Sequence, residues 1–389
     1  MIQLTDCLKR DEQAVLYLRG LYERWGYSKV NVTDFEEYDL YADNRNFFGE
    51  RNLLTFMNAD GRAMALRPDV TLSIIKNVPG EGRQAYKLYY VEDVYRFSKE
   101  NNEYRRQEQI GAECIGGDPD YANLEILGLA LESLGAINER FVLSISHLGF
   151  LSGLLDSLNV QQEIRSALIR LIHGKNTHDL QQLLAATDLD AGQKERVAAL
   201  CGLSGPFEAT LRVAGEMARG PVMLQAVEEL ERLYQAMADS GLGGYLSRVQ
   251  LDFSVMNDLD YYNSLVFQGY IENLPKAVLT GGRYDNLMKK LDKQRGGVGF
   301  AVYLDELGRY FGADRSYDYD QVIFCKGHWD EAALVSALRK LTAQGLRVRV
   351  EDAQAYPEVH YTYRDLFTFE NGRIERGFVP PDPDRGGDA

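Results

Sequence analysis

The sequence predicts an α+β protein in which a region of strands and helices is interrupted by an all-helical insertion and followed by a small C-terminal α/β unit. Three observations lead to this prediction. Strand and helix patterns alternate over about the first 147 residues, helical periodicity continues to about residue 247, and strand patterns then resume. The chain has 389 residues, 45% of them hydrophobic and 10 of them proline, which suits two or three well-packed domains.

The first region is expected to begin with a helix. Leu18, Tyr22 and Trp25 recur at helical spacing, and Gly26 suits the position just beyond a helix C-terminus. A strand is expected at 29–35, followed by a hairpin with strands at 53–56 and 63–66. The other elements expected here are strands at 86–95, 106–115 and 141–146 and a helix that buries Leu124, Leu127, Leu131 and Leu134 and ends at Gly135.

Helical periodicity dominates the middle of the chain, as in Leu224, Val227 and Leu230, with short breaks such as Gly174-Lys175-Asn176 between helices. Beyond it we expect strands at 249–253, 265–271 and 277–279, a turn at Gly281-Gly282, a helix at 284–291, and a strand and helix within 299–310.

The C-terminal part reads as a βαβ-like unit at 321–350, with a last hairpin turning at Asn371-Gly372. Its proline- and glycine-rich end has little to bury. The expected organisation is a first part of the core at 1–147, a helical insertion at 148–247, a second part of the core at 248–315, a truncated C-terminal α/β unit at 316–379 and a disordered tail at 380–389.

Charge and cysteine content exclude several classes of function. With 58 acidic and 43 basic residues the formal charge is −15, which disfavours a nucleic-acid-binding surface. Four isolated cysteines and five histidines offer no zinc-site spacing. No signal peptide or membrane span is evident. We therefore expect a soluble cytoplasmic protein without a metal.

Three groups of residues could carry chemistry. Asp69 and Thr71 lie at alternate positions of a segment read as extended, so their side chains would point the same way and suit an ammonium group. Gln109 and Glu113 would share one face of a strand. The three groups are Arg67 to Thr71; Arg96, Arg105, Gln109 and Glu113; and Asp260-Tyr261-Tyr262 with Thr280 to Asp285.

Each group also has a plain structural interpretation. Arg67 and Asp69 could form a surface ion pair, Gln109 and Glu113 could be solvated strand residues, and Gly281-Gly282 alone indicates a turn. The occurrence of all three groups in one chain, in this order, is the specific signal.

Five segments together resemble the signatures of histidyl-tRNA synthetases, which belong to the class II aminoacyl-tRNA synthetases. The resemblance covers roughly residues 5–315 and has the helical insertion at the matching place. It implies an antiparallel sheet flanked by helices, with a histidine pocket on one face. The segments are ALRPDVT at 65–71, YR at 95–96 with QIGAE at 109–113, LDYY at 259–262, GGRYD at 281–285 and GFA at 299–301.

The resemblance implies roles for individual residues in binding histidine. Asp69, a glutamate in the family, and Thr71 would hold the amino group. Arg96 would meet the carboxylate or an ATP phosphate, with Arg105 and Gln109 close by. Glu113 and Tyr262, next to Tyr261, would recognise the imidazole.

Several departures from the family pattern fall at positions that serve ATP. One preorganised charge-stabilising donor is worth about 10²–10³-fold in rate, so losing two arginines predicts negligible adenylation. These departures are Asn257 for the catalytic arginine, Glu306 for the ATP-clamping arginine, Tyr303 for a glycine and Ser98 for a glutamate. A separate departure is Thr33, which stands where the first family motif has a proline.

This sequence combines residues kept for histidine with a lost ATP site. In this it resembles the regulatory subunits of ATP phosphoribosyltransferase, which are non-catalytic paralogues of the synthetase. This resemblance implies a role in the first step of histidine biosynthesis and in its feedback inhibition. The expected partners are the short catalytic subunit, a second copy within a hetero-octamer and histidine as ligand, with no cofactor, no tRNA and no membrane. The roughly seventy residues after Asp314, fewer than in a synthetase anticodon-binding domain, agree with this interpretation. The alternatives are an active histidyl-tRNA synthetase and an orphan synthetase-like paralogue.

Overall fold

The computed structural model describes residues 8–42, 53–82, 84–98, 102–256, 261–311, 317–327, 329–356 and 360–377. The chain divides into two compact units, Met1–Phe311 and Gly312–Ala389. Among the described residues, no helix combines the length and the apolar character needed to cross a membrane. The tail predicted to be disordered, 380–389, lies outside the described residues.

The first unit contains two sheets and most of the helices. Its strands are β1 (Ser28–Lys29), β2 (Phe35–Glu37), β3 (Thr55–Met57), β4 (Ala63–Leu66), β5 (Tyr86–Ser98), β6 (Glu103–Ile115), β7 (Phe141–His147), β8 (Ser204–Pro206), β9 (Val249–Asp252), β10 (Leu265–Ile271), β11 (Leu279–Arg283) and β12 (Gly297–Tyr303). Its helices are α1 (Arg10–Arg24), α2 (Tyr38–Ala42), α3 (Val70–Asn77), α4 (Pro119–Ile137), α5 (Leu148–Leu158), α6 (Gln162–His173), α7 (Thr177–Ala185), α8 (Ala191–Cys201), α9 (Phe207–Met217), α10 (Gly220–Asp239), α11 (Asp285–Lys290) and α12 (Leu304–Phe311).

A nine-stranded sheet with the order β1-β5-β6-β12-β11-β10-β7-β9-β8 organises this unit. Its strands pair antiparallel except for β1 with β5 and β7 with β9, which are parallel. A smaller sheet has the order β2-β4-β3. The predicted α+β fold with a largely antiparallel sheet is confirmed.

One face of the large sheet is covered by helices. Ile110, Ala112 and Cys114 alternate along β6 and are buried in the same core cluster as Leu18 of α1 and Leu127 of α4. Because side chains alternate along a strand, the residues between them point to the opposite face, where the candidate site lies.

The predicted all-helical region contains the six helices α5 to α10 among its described residues. The short strand β8 is an exception, since it pairs with β9 at the edge of the large sheet. The limits of this region as a separate domain, 148–247, stay a prediction.

The second unit matches the predicted βαβ-like pattern. Its elements are β13 (Tyr319–Cys325), α13 (Glu331–Thr342), β14 (Val348–Asp352), β15 (Tyr363–Glu370) and β16 (Arg373–Arg376), with the sheet order β14-β13-β15-β16. Asn371 and Gly372 have φ values of +51° and +75°, the left-handed conformation that a two-residue hairpin turn needs.

Three local predictions are wrong. The strand expected at 29–35 is divided, because β1 pairs with β5 while Phe35 pairs with Leu66 in the smaller sheet. Helix α4 does not end at Gly135, since Ile137 still packs against the core. Gly281 and Gly282 lie within β11, paired on both sides, and form no turn.

Candidate functional site

The candidate site lies on the face of the large sheet opposite to α1 and α4. Gln109 and Glu113 lie on this face of β6, with Gly111 between them. Across β12 the partners of Gln109 and Glu113 are Tyr303 and Gly299. Both polar side chains are buried, at 3% and 2% exposure, so the alternative that they are solvated strand residues is wrong.

Glu113 is held by two hydroxyl groups. Thr71 donates from Oγ1 to Oε1 at 2.6 Å, and Tyr284 donates to Oε2 at 2.6 Å. Burial raises the pKa of Glu113 to about 8, although these two hydrogen bonds favour the charged form. A Cβ on Gly299 would overlap the carboxyl group, so this glycine is required for Glu113 to lie against the sheet.

Asp69 and Thr71 do reach this site, but the extended segment expected for them is wrong. Asp69 has extended φ and ψ angles and is the N-cap of α3, where its Oδ1 accepts from the backbone N–H of Leu72 at 2.9 Å. Thr71 lies in the first turn of that helix. Tyr261 donates to the same Asp69 oxygen over 3.5 Å. Tyr261 also hydrogen-bonds to Thr71, which donates to Glu113, so Asp69, Thr71, Tyr261 and Glu113 form one connected group.

Arg96, Arg105 and Gln109 extend the site along β5 and β6. Arg96 and Arg105 are directly opposite each other in the two strands. Arg96 donates from Nε to the carbonyl oxygen of Pro68 at 2.9 Å, and Arg105 pairs with Glu103 at 2.7 Å. The buried Gln109 Nε2 has no hydrogen-bond partner among the described residues. An unpaired buried donor of this kind suits an acceptor on a ligand.

Aromatic rings close over the sheet where glycines leave room for them. A Cβ on Gly282 would collide with the ring of Tyr262, and one on Gly111 would collide with the ring of Tyr90. The ring centroids of Tyr261 and Tyr262 are 4.7 Å apart. The glycines therefore leave room for the tyrosine rings to pack against the strands on the face that carries Glu113.

Two residues of this site had no role predicted from the sequence: Tyr284, which belongs to the third candidate group, and Tyr90, which belongs to none. Burial and the carboxyl group of Glu113 raise the pKa of Tyr284 well above its ordinary value, so its hydroxyl keeps the proton that it donates. Tyr284 stands within the GGRYD segment, which was an available signal. Tyr90 pairs with Gly111 across β5 and β6, and only the strand register reveals it.

Arg67 does not form the surface ion pair with Asp69 that the sequence left open. Its side chain is fully buried, pairs with Glu92 at 3.1 Å and donates to the carbonyl oxygens of Thr33 and Asp93. Arg67 therefore connects the smaller sheet to the large one and is structural.

A second pocket of about 280 Å³ adjoins the site at the open end of β5 and β6. It contains the positions that depart from the family pattern, apart from residue 257 and Thr33. Asn257 lies outside the described residues, as do Leu259 and Asp260. The residues lining the pocket are Arg96, Ser98, Arg105, Gln107, Glu108, Lys276, Ala277, Tyr303, Asp305 and Glu306.

Among the described residues, no group of histidine, cysteine, aspartate or glutamate side chains is arranged to hold a metal ion.

Comparison with known sequences agrees with the motifs. The family model described as histidyl-tRNA synthetase matches residues 4–307. An ATP phosphoribosyltransferase regulatory subunit from Oceanobacillus iheyensis is 27% identical over 305 residues, which are 78% of this chain and 74% of the relative. A histidine–tRNA ligase from Methanocaldococcus jannaschii is 28% identical over 295 residues, 75% of this chain and 69% of the relative. Sequence identity alone therefore does not distinguish a regulatory subunit from a histidine–tRNA ligase.

Solved structures share the fold. A Bacillus halodurans structure described as an ATP phosphoribosyltransferase regulatory subunit/histidyl-tRNA synthetase has a TM-score of 0.69 at 22% identity and covers 92% of this chain and 93% of its own. An ATP phosphoribosyl transferase (HisG:HisZ) complex from Thermotoga maritima contains a chain with a TM-score of 0.60 at 19% identity, covering 75% of this chain and 96% of that one. With a family match over most of its length and this shared fold, the chain belongs to the histidyl-tRNA synthetase family.

Proposed function

We propose that this protein is the non-catalytic regulatory subunit of an ATP phosphoribosyltransferase. It acts with a short catalytic subunit in the first step of histidine biosynthesis and takes part in feedback inhibition by histidine. The observation that carries the proposal is the contrast between two adjoining groups of residues on one sheet face, the buried polar side chains around Glu113 and the lining of the pocket of about 280 Å³. The pocket around Glu113 keeps the polar groups of an amino-acid site, whereas the neighbouring pocket carries carboxylates where ATP would bind.

The pocket around Glu113 suits histidine at each of its polar ends. Asp69 is the anion for the α-ammonium group, with Thr71 beside it. Arg96 and the unpaired amide of Gln109 are the groups for the α-carboxylate. Glu113, with Tyr262 close by, is the partner for the imidazole. A ligand carboxylate would satisfy the buried Gln109 Nε2, which has no partner among the described residues and is costly to leave unpaired.

The neighbouring pocket is unsuited to a nucleoside triphosphate. Glu108, Asp305 and Glu306 line it together with Arg96, Arg105 and Lys276, so three carboxylates offset three cations. Tyr303 stands in the place of a glycine and fills space at the pocket wall. Its hydroxyl group shares a hydrogen bond of 2.5 Å with Thr280 Oγ1. Loss of ATP binding removes adenylation, and with it synthetase activity.

The partner is proposed from the relatives. The Oceanobacillus relative is a regulatory subunit, and the Thermotoga structure is a complex of two subunit types. We infer association with a short catalytic subunit in a hetero-octamer that also contains a self-dimer of this chain. Cys114, Cys201 and Cys325 are buried free thiols, which suits the reducing cytoplasm.

Two assays, one on co-expressing cells and one on the purified chain, distinguish the proposed regulatory subunit from an active histidine–tRNA ligase. Affinity purification of the tagged chain from cells that also express the short catalytic subunit should recover both proteins. Histidine-dependent exchange of pyrophosphate into ATP should stay at background. Recovery of the chain alone, together with rapid exchange, would identify a working ligase instead.

A further inference from the structure

A third cavity, of about 450 Å³, lies on the same sheet face as the Glu113 pocket but farther along, over β10, β7 and β9. Its volume is within the usual range for small-molecule sites, roughly 300–1,000 Å³. One wall is the sheet, and the other is the turn that follows α6 in the helical insertion. The lining residues are Val142, Ser144, His173, Lys175, Gln250, Asp252, Ser254, Val255, Gln268 and Tyr270.

The floor of this cavity is a row of neutral hydrogen-bonding groups. In the strand register Ser144 pairs with Gln268 on one side and with Gln250 on the other, so amide, hydroxyl and amide stand side by side. Gln250 donates to Ser144 Oγ at 2.7 Å, and Tyr270 donates to Gln268 Oε1 at 2.5 Å. Amides and hydroxyls both donate and accept, which matches the hydroxyl groups of a sugar.

One more polar side chain lies on this face of the sheet. Ser146 is two residues along β7 from Ser144 and therefore on the same side of the sheet. Its buried hydroxyl has no hydrogen-bond partner within the described part of the chain. A sheet face that merely supported the insertion would be expected to carry apolar side chains instead.

The rim of the cavity supplies positive charge from the insertion. Lys175 has a φ of +50°, a left-handed conformation that is unfavourable for lysine, and this turn directs its ammonium group to Asp252 at 2.7 Å. Asp252 also accepts from the backbone N–H and the hydroxyl of Ser254. An ammonium group has three protons, so Lys175 can bind an anion while it keeps Asp252. His173 lies at the same rim and donates from Nδ1 to the carbonyl oxygen of Ser254 at 3.0 Å.

We propose that this cavity is a second small-molecule site, which binds a phosphorylated sugar with its hydroxyl groups on Gln268, Ser144 and Gln250 and its phosphate at Lys175 and His173. Asp252 holds Lys175 in place and offers an acceptor for a further hydroxyl. The site is separate from the Glu113 pocket and does not depend on the function proposed for that pocket.

Calorimetric titration of the full-length chain with ribose 5-phosphate tests this site. We expect saturable binding that weakens at least tenfold in both Lys175→Met and Gln250→Leu. Lys175 is exposed, so its variant should fold normally, and Lys340→Met on the surface of α13 is the matched control that should bind as the wild type does. Ribose alone and inorganic phosphate alone should each bind at least tenfold more weakly than ribose 5-phosphate.

Four results would overturn the assignment. Absence of saturable ribose 5-phosphate binding would remove the site, and equal affinity in the wild type and both cavity variants would place the ligand elsewhere. Inorganic phosphate that binds as tightly as ribose 5-phosphate would show an anion site with no recognition of the sugar. Saturating histidine should leave the titration unchanged, and competition between the two ligands would contradict separate pockets.

Discussion

Glu113 combines a buried carboxyl group with two hydroxyl donors, and its protonation couples the site to pH. Its pKa is raised to about 8 because burial disfavours the charged form more than Thr71 and Tyr284 favour it. Between the usual glutamate pKa and 8 the folded chain therefore keeps a proton at this residue that the unfolded chain loses.

This difference predicts how stability changes with pH. Where the folded state binds more protons, the free energy of unfolding falls as pH rises. The contribution from Glu113 should be fully present at about pH 4.5, be lost progressively towards pH 8 and amount to a few kcal/mol. Glu113→Gln has no proton to lose at this position. The free energy of unfolding of the wild type minus that of the variant should therefore decrease from about pH 4.5 to pH 8.

Urea unfolding of both proteins at several pH values between 5 and 8 measures this difference. Trp25 lies in the first unit and Trp329 in the second, so a Trp329→Phe background makes the fluorescence report the first unit. A difference between wild type and variant that is constant with pH would show that Glu113 titrates normally.

Glu113 should also govern recognition of histidine. Glu113→Gln should weaken histidine binding roughly ten- to a hundredfold, because the proton that Glu113 holds below pH 8 can pass to the imidazole, and the resulting carboxylate–imidazolium hydrogen bond is charge-assisted and worth about 1.5–3 kcal/mol. Leucine and phenylalanine should not bind, since they would leave polar groups of the pocket unpaired. Calorimetry of histidine into wild type, Glu113→Gln and the exposed control Glu228→Gln, alone and with the catalytic subunit, measures this. Equal affinity of the wild type and Glu113→Gln would mean that inhibition by histidine uses another site.

At the scale of elements, α3 shows how one residue can serve both the fold and the site. Asp69 caps this helix through the N–H of Leu72 and is also proposed to meet the ammonium group of histidine. Asparagine is as good an N-cap as aspartate but has no charge, whereas alanine is a poor N-cap.

The two substitutions should therefore separate the roles of Asp69. Asp69→Ala should lower the free energy of unfolding by about 0.5–2 kcal/mol, and Asp69→Asn should leave it nearly unchanged. Both should weaken histidine binding by about tenfold or more, in line with the loss of a charge-assisted hydrogen bond. Chemical unfolding and histidine titration of the two variants measure the two effects. Wild-type affinity in Asp69→Asn would contradict the role in binding.

Elements with a strong local signal were predictable from the sequence. The hairpins β3–β4 and β15–β16 follow from their turn residues, and α1 follows from its apolar spacing and Gly26. Elements whose form depends on contacts between residues distant in the sequence were not predictable in this way. The Gly281-Gly282 pair is typical of a turn in the sequence, yet it lies inside β11. Glycine is needed there because the rings of Phe267 and Tyr262 take the space that a side chain would fill.

The same distinction applies to the candidate site. The alternation along β6 predicted that Gln109 and Glu113 share a face, and the family motifs pointed to Asp69 and Thr71. The helix at α3 was missed, because Pro68 and the short apolar run after it give a weak periodic signal. Tyr90 was missed because only the pairing of β5 with β6 brings it to Gly111.

At the scale of the whole molecule, we expect histidine binding to be kept and ATP binding to be lost. Calorimetric titration with ATP and magnesium at near-physiological salt should show no saturable binding in the micromolar range, because carboxylates and Tyr303 occupy the neighbouring pocket. A titration with histidine on the same sample is the control for a competent protein. Micromolar ATP binding would contradict the loss of the nucleotide site.

We propose that this chain regulates a catalytic partner and performs no catalysis itself. The most direct measurement is the ATP phosphoribosyltransferase activity of the short catalytic subunit from the same organism, with and without this chain and over a histidine titration. We expect the two chains to elute together, this chain to raise the activity of the subunit and to have none alone, and Glu113→Gln to shift inhibition to higher histidine concentrations. A catalytic subunit whose activity and histidine response are the same with and without this chain would contradict the proposed regulatory role.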